Sequence, residues 1–322
     1  MPPPIPTTQA HKKTPITRFY RNQADMPASV PPRTIRLLLC ILALLLCSGC
    51  SMVRVGYGQV DTLAGWVAHE YFDLEPPQRD DFSRRFERLH AWHRREQLPE
   101  YARFLAEAKI RAQRGMAADD LLWLVDGMKS RYAVIAARAA PDAAELLAGL
   151  SPTQIDHLRR EFDRMNQKFL KENRSQESVA ARRQHQQRNA LKQIRDWVGS
   201  LSDSQETRLI ALLQQLPLTD LLRHEDRLRR QREFLALLET RHIERAAYTE
   251  RVRDWLVNWE RNRPPGLARS FEDSWKRRAE FYAAVDKMLT PEQRTHLTHR
   301  LQDYVDDLRY LAVQKTAAAR ND

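Results

Sequence analysis

Apolar residues return every three or four positions along nearly the whole of this 322-residue chain, and that spacing leaves few folds open. Ile155, Leu158, Phe162, Met165 and Phe169 form one such stripe, and Leu297, Leu301, Tyr304, Leu308 and Leu311 another. Tyr248, Val252, Trp255 and Trp259 repeat the step, as do Phe82, Phe86 and Leu89. An α-helix turns once every 3.6 residues, so this spacing gathers the apolar side chains on one face. No segment alternates in steps of two with β-branched enrichment, so strands have no support. The expected fold class is all-α, an irregular multi-helix bundle of about ten helices with a cradle-like form as one arrangement. The expected helices are 60–73, 76–97, 99–114, 117–148, 152–174, 178–199, 203–215, 218–240, 242–260, 266–288 and 291–316. They break at Pro76-Pro77, Pro99, Gly115, Gly149, Gly199, Pro217 and Pro264-Pro265-Gly266. Pro141 is expected to kink or split the fourth. The polar stretch from Lys171 to Gln187 reads as frayed helix or loop.

With only 9 glycines, the chain lacks phosphate-cradling loops: its one G-x-G is Gly56-Tyr57-Gly58, and no G-x-x-x-x-G-K-[ST] occurs. H-E-x-x-H and G-x-S-x-G are also missing from the sequence.

The first fifty residues speak to location. Arg33 and Arg36 precede an apolar run from Leu37 to Cys47. The run is shorter than the roughly 20 residues that span a bilayer and fits the apolar region of a secretory signal. It ends in Leu46-Cys47-Ser48-Gly49-Cys50, which resembles the bacterial lipobox, where small residues precede the cysteine that is lipidated and becomes residue one. The expectation is a signal peptide over 1–49, with Met26 as an alternative start. A lipidated tether follows over 50–59, then a helical domain over 60–316 and a frayed tail over 317–322. Cys40 and Cys47 leave with the signal, so Cys50 is the last thiol and carries acyl chains, the only covalent group expected; no cofactor is. By resemblance to Gram-negative lipoproteins, Ser51 rather than Asp implies sorting to the outer membrane, with the body facing the periplasm.

Removal of the leader also changes the net charge. The leader holds six of the 53 basic residues and one of the 42 acidic ones, which leaves a surplus of +6. For an exported chain nucleic acid is not an expected partner; anionic headgroups or acidic client chains are.

One short motif repeats. Leu150-Ser151-Pro152-Thr153-Gln154 is matched by Leu201-Ser202-Asp203-Ser204-Gln205 and by Leu289-Thr290-Pro291-Glu292-Gln293, with a degenerate copy in Leu74-Glu75-Pro76-Pro77-Gln78. Ser or Thr is the N-cap, Pro suits the first helical position, and Gln closes a capping box. The pattern L-[ST]-x-x-Q resembles the signature of Spy/CpxP-type periplasmic chaperones, all-helical proteins with two such motifs per chain that dimerise into a basic, partly apolar cradle. The resemblance implies that this longer chain builds both halves of such a cradle.

Tyr71-Phe72-Asp73-Leu74, the stretch from Ala91-Trp92-His93 to Leu98-Pro99-Glu100-Tyr101, and Arg230-Gln231-Arg232-Glu233-Phe234, all after a lipobox, resemble a wider group. It is a family of proteobacterial lipoproteins known only as a domain of unknown function. It implies an envelope lipoprotein and assigns no activity.

Candidate chemistry is sparse. Glu87-x-x-His90 and Glu239-x-x-His242 have the spacing that di-iron bundles use, but Arg84, Arg85, Arg88 and Arg241 crowd them, so no metal is assigned. His90/His93 and His296/His299 read as helix-surface pairs. Of the seven tryptophans most are expected as core anchors. Trp255 and Trp259, with Arg261 and Arg263 just beyond, are the candidate binding residues. The run Arg227, Arg229, Arg230 and Arg232 reads as a solvated face. The reading is a non-enzymatic, outer-membrane-anchored periplasmic lipoprotein that binds unfolded polypeptide or envelope components in a chaperone-like way. The alternatives are a structural or assembly partner of an envelope complex and, behind it, a helical-bundle metalloenzyme.

Overall fold

A computed structural model describes residues 52–314, which are helical nearly throughout, with no strand among them. Cys50, Ser51, the leader and the expected tail lie outside the described residues. The helices are α1 (Met52–Gly58), α2 (Val60–Phe72), α3 (Pro76–Trp92), α4 (Leu98–Arg114), α5 (Ala118–Ala148), α6 (Pro152–Glu172), α7 (Val179–Val198), α8 (Asp203–Gln215), α9 (Asp220–Glu239), α10 (Arg245–Val257), α11 (Pro265–Asp286) and α12 (Pro291–Val313).

The described part of the expected tether, from Met52 on, is structured. Residues 52–58 are helix α1, and Arg54 ties it to α12 through an ion pair with Asp307 (2.6 Å) while stacking on Tyr310 (4.2 Å). Pro141 neither splits nor ends α5, which runs unbroken from Ala118 to Ala148. Proline removes a single N–H donor there, and Pro141 sits on an exposed face where water can satisfy the freed carbonyl. Helix 76–97 continues into α4 through one π-helical turn, His93–Gln97, in which the Leu98 N–H reaches back to the His93 carbonyl. The wider turn comes just ahead of Pro99, whose ring would crowd an ordinary helical turn. The polar stretch resolves into the end of α6, a loop over 173–178, and α7. The expected helix 242–260 is shorter, because Glu244 caps it by accepting from the Ala246 and Ala247 N–H groups.

Two apolar clusters organise the body. The first joins Ala68 of α2, Leu147 of α5, Ile155 and Leu158 of α6, Phe234 and Leu238 of α9, and Tyr248 and Val252 of α10. The second joins Leu191, Ile194 and Val198 of α7, Leu209 and Leu213 of α8, and Phe281 and Val285 of α11. Each fully buried leucine contributes about 2 kcal/mol by leaving water. The longest seam runs between α4 and α12, where Ala102, Ala108 and Ala112 lie buried and Leu301, Val305 and Leu311 are buried on the other side. Alanines Ala136, Ala140 and Ala144 give α5 an equally low face, against which α10 and α11 pack. None of the seven tryptophans is fully buried: Trp66, Trp197 and Trp275 are exposed and the rest half-buried, contrary to the expectation of core anchors.

The four repeated motifs meet in two pairs. Ser151, Ser202 and Thr290 accept from the backbone N–H of Gln154, Gln205 and Gln293, while those glutamines accept from the N-cap N–H groups, which closes three capping boxes. Beyond its own helix, Gln78 Nε2 donates to Gly149 O (3.1 Å) and Gln154 Nε2 to Asp73 O (3.1 Å), and the two carboxamides donate to each other's oxygens (3.3 and 2.6 Å). Gln205 and Gln293 repeat the pattern through Met288 O (2.8 Å) and Ser200 O (2.7 Å). In every case the accepting carbonyl lies two residues before the partner's N-cap. Each carboxamide thus uses both donors and accepts twice. The degenerate copy at Gln78 is a full partner, and Leu150 is buried while Leu201 and Leu289 pack on the second cluster.

Candidate functional site

Helix α9 carries Arg223, Arg227, Arg230 and Phe234 at steps of four, three and four, which place them on one face. That face looks onto Trp255 and Trp259, brought round by α10 and the turn after it. The Arg230 guanidinium lies over both rings, 4.9 Å from Trp255 and 5.2 Å from Trp259. It makes no ion pair among the described residues, so its charge is left for a ligand or for water. Arg227 donates to Asn166 Oδ1 (2.8 Å) and Arg223 to Asn173 Oδ1 (2.6 Å), so both are hydrogen-bonded to neutral partners. The three arginines, Tyr71, Phe162, Phe234 and the two tryptophans border a recess of about 370 Å³.

Below the recess lies an apolar chamber of about 350 Å³ between α2, α3, α5, α6, α9 and α10. Phe72, Phe82, Leu146, Leu158, Val252 and Leu256 line it, and it shares Tyr71, Phe162, Phe234 and Trp255 with the recess above. Those four aromatic rings therefore form both the floor of the cationic mouth and the roof of the chamber. Phe234 is the hub, with ring centres 4.6 Å from Trp255, 6.3 Å from Phe162 and 6.4 Å from Phe72.

A buried ion cluster fixes the far wall. Asp226 accepts from Arg229 (2.7 Å) and Arg263 (2.9 Å), and Arg229 also donates to Trp259 O (2.9 Å). Arg263 stacks on Trp259 (4.8 Å) and Phe271 (3.9 Å). Burial alone would raise the Asp226 carboxyl, but the hydrogen bonds from Arg263 and Arg229 outweigh it and hold the group below the usual carboxylate range.

Of the four residues expected to bind, Trp255 and Trp259 stand at the mouth, whereas Arg263 is consumed by Asp226 and Arg261 points outward to pair with Asp254 (2.9 Å). The arginine run is not a uniform solvated face: Arg229 is buried, Arg230 is stacked and only Arg232 is exposed. The sequence reading missed the rim arginines as a group. Their signal was the α9 face they share with Phe234, set against the four-residue step from Trp255 to Trp259.

A second concentration of polar chemistry sits at the π-helical turn. Tyr57 shares a hydrogen bond with His93 Nδ1 (2.9 Å), and His90 Nδ1 pairs with Asp61 (2.8 Å). Burial, with His90 adding to it, lowers His93 to about 4, and burial raises the Tyr57 hydroxyl to about 12. His90 is buried and Glu87 exposed, so that pair does not converge on one point; Glu239 ends α9 while His242 follows in a turn. Among the described residues no group of three or more His, Cys, Asp or Glu is arranged to hold a metal ion. No helix among them is long and apolar enough to cross a membrane.

Residues 70–265 match a family described as "Family of unknown function (DUF6279)". That stretch holds the whole arginine rim and every chamber residue except Ala68. No curated protein and no solved structure matches the chain.

Proposed function

The chain belongs to DUF6279, a family of unknown function, and because membership assigns no activity we propose from the geometry that it is a non-catalytic binding protein of the cell envelope. It is lipidated at Cys50, sorted to the outer membrane by Ser51, and faces the periplasm. Its ligand is an envelope component that joins an apolar segment to a negative charge. The single observation that carries this reading is the union of an apolar chamber with a mouth of three arginines, of which Arg230 makes no ion pair among the described residues. The volume falls within the range of roughly 300–1,000 Å³ common to small-molecule sites, and a few convergent polar groups over apolar walls are their usual make-up. An acyl chain or an apolar side chain leaves water in the chamber while its acidic end meets Arg230.

Titrating the purified full-length protein with a fluorescent single-chain amphiphile tests this reading, in a carboxylate form and in a neutral alcohol form of equal chain length. The carboxylate binds more tightly, and Arg230→Gln removes most of the difference. Equal binding of both forms, or of neither, overturns the reading. The repeated motif favours a second reading, the chaperone-like one, in which unfolded polypeptide is the ligand. Suppression of light scattering by an aggregating client at near-stoichiometric amounts, weaker in high salt, supports it; no suppression at large excess removes it.

A further inference from the structure

Of sixteen large apolar side chains exposed on the body, five fall within residues 52–67: Met52 (86% exposed), Val55 (53%), Leu63 (56%), Trp66 (60%) and Val67 (38%). Scattered single exposures are ordinary, but this density in one short segment is not. Helix α1 passes into α2 through one turn at Gln59, whose N–H reaches Gly56 O (3.2 Å) and whose carbonyl accepts from Leu63 N (3.0 Å). Steps of three and four from Met52 through Val55, Gln59, Thr62 or Leu63 to Trp66 therefore trace one exposed stripe, and it carries no charge.

The charged and titratable side chains of the segment turn away from the stripe. Arg54 pairs with Asp307, Tyr57 bonds His93 and Asp61 bonds His90, so three polar contacts bolt α1 and α2 to the body with the apolar side outward. Next to Arg54, Tyr310 and Val313 of α12 are exposed as well, Val313 at 80%. The chain outside the structure supplies the remaining argument: Met52 lies two residues beyond Cys50. Two residues reach at most about 7 Å. Acyl chains on Cys50 thus hold α1 at the surface of the leaflet they enter.

We propose that the α1–α2 stripe is a membrane-contact face, lying in the interfacial layer of the bilayer with Leu63 and Trp66 inserted. Uncharged apolar stripes with a tryptophan suit this layer, where the indole ring places its apolar body among acyl chains and its N–H among headgroups. The occupant is lipid rather than a second protein, because the anchor delivers lipid to this face at every moment. The proposal rests on the lipidation at Cys50 in the reading above. It adds that the body is held flat on the membrane rather than swinging on a leash.

The test uses the mature lipidated protein in vesicles of phosphatidylethanolamine and phosphatidylglycerol. Leu63→Cys, Trp66→Cys and the off-stripe control Met128→Cys, also exposed, each carry an environment-sensitive fluorophore. Labels at 63 and 66 lose quenching by a water-soluble quencher and gain quenching by acyl-chain nitroxides, while the label at 128 does the reverse. Labels at 63 and 66 that are as open to the aqueous quencher as the one at 128 overturn the proposal. Shielding from water without quenching by lipid also overturns it, because a protein then covers the face. Mass spectrometry of the N-terminal peptide keeps the two readings apart. Where it finds no lipid, anchoring has failed, and the same labels are read after Cys50 is coupled to a maleimide lipid.

Discussion

The carboxamides of Gln205 and Gln293, 88 positions apart in the chain, donate to each other's oxygens at 2.8 and 3.0 Å. A capping box accepts either Glu or Gln at its third position, yet all four copies here carry Gln. The reason is the pair: a carboxylate has no N–H to give its partner or the carbonyl beyond.

Gln293→Glu therefore strips Ser200 O of its donor and sets two oxygens face to face. The expected loss is about 1–3 kcal/mol of stability at neutral pH. Urea unfolding measures it, and part of the loss returns in acid, where the introduced carboxyl is protonated and donates again. A variant as stable as the parent at pH 7 would show that the pair contributes nothing.

At Gly127, inside α5, an added Cβ would stand 2.4 Å from two ring atoms of Phe104. That ring is buried between Trp123 (centres 4.7 Å apart) and Arg131 (3.8 Å), so it has little room to retreat. Gly→Ala in an open helix stabilises by about 1 kcal/mol. Here the sign reverses, and overpacking of this kind costs about 1–3 kcal/mol. Thermal melts of Gly127→Ala decide between the two.

Arg263 and Arg261 sit two residues apart and should part company on mutation. Arg263→Met leaves the buried Asp226 with Arg229 alone and removes one of the two guanidiniums stacked on Trp259. Breaking a buried pair costs about 3–5 kcal/mol, and the remaining partner puts the expectation at the low end. Arg261→Met removes an exposed pair and costs within about 1 kcal/mol. Denaturant midpoints of the two variants give the comparison.

His93 sets an acid limit on the docking of α1. Folding holds the ring neutral to about 4, against 6.5 for the free side chain, because burial and His90 disfavour the charge. Between those values the unfolded chain binds a proton that the folded one does not, so stability falls as pH drops from 6.5 towards 4 and levels off below. Tyr57, Asp61, His90, Arg94 and Tyr101 are the titratable groups around it. Denaturant midpoints at pH 7 and pH 5 should differ more for the parent than for His93→Gln; an equal drop would clear His93 of the effect.

Much of the architecture could be read from the chain because helices are local. Stripes such as Ile155 to Phe169 needed only their own spacing, and Ser151, Ser202 and Thr290 announced their helix starts within five residues. What escaped depended on distant segments. Gln78 looked like a degraded copy until Gln154 came to face it across the fold. Arg229 and Arg230 are neighbours in sequence, yet one is buried on Asp226 and the other lies over two tryptophans, because adjacent residues on a helix point about 100° apart. The Trp255 and Trp259 pair stood out in the sequence, while Tyr71 and Phe162, which complete the mouth, come from helices far upstream. Residues 50–59 read as a tether because the seven-residue helix within them is held by distant partners, Asp307, Tyr310 and His93 among them.

The two glutamine pairs also have a bearing on how this chain reaches its fold. Each acts as a buckle on a belt of similar length, 76 residues in one case and 88 in the other, so the loop-closure entropies differ by only about 0.1 kcal/mol. The two belts pack against one another. Helix α4 inside the first packs along α12 at the end of the second, and α9 and α10 from the second complete the apolar cluster of the first. The first buckle therefore cannot fasten over a finished half, because its cluster is incomplete until α9 and α10 arrive. Cutting the chain in the 173–178 loop would accordingly leave the second cluster whole in one fragment and divide the first between the two.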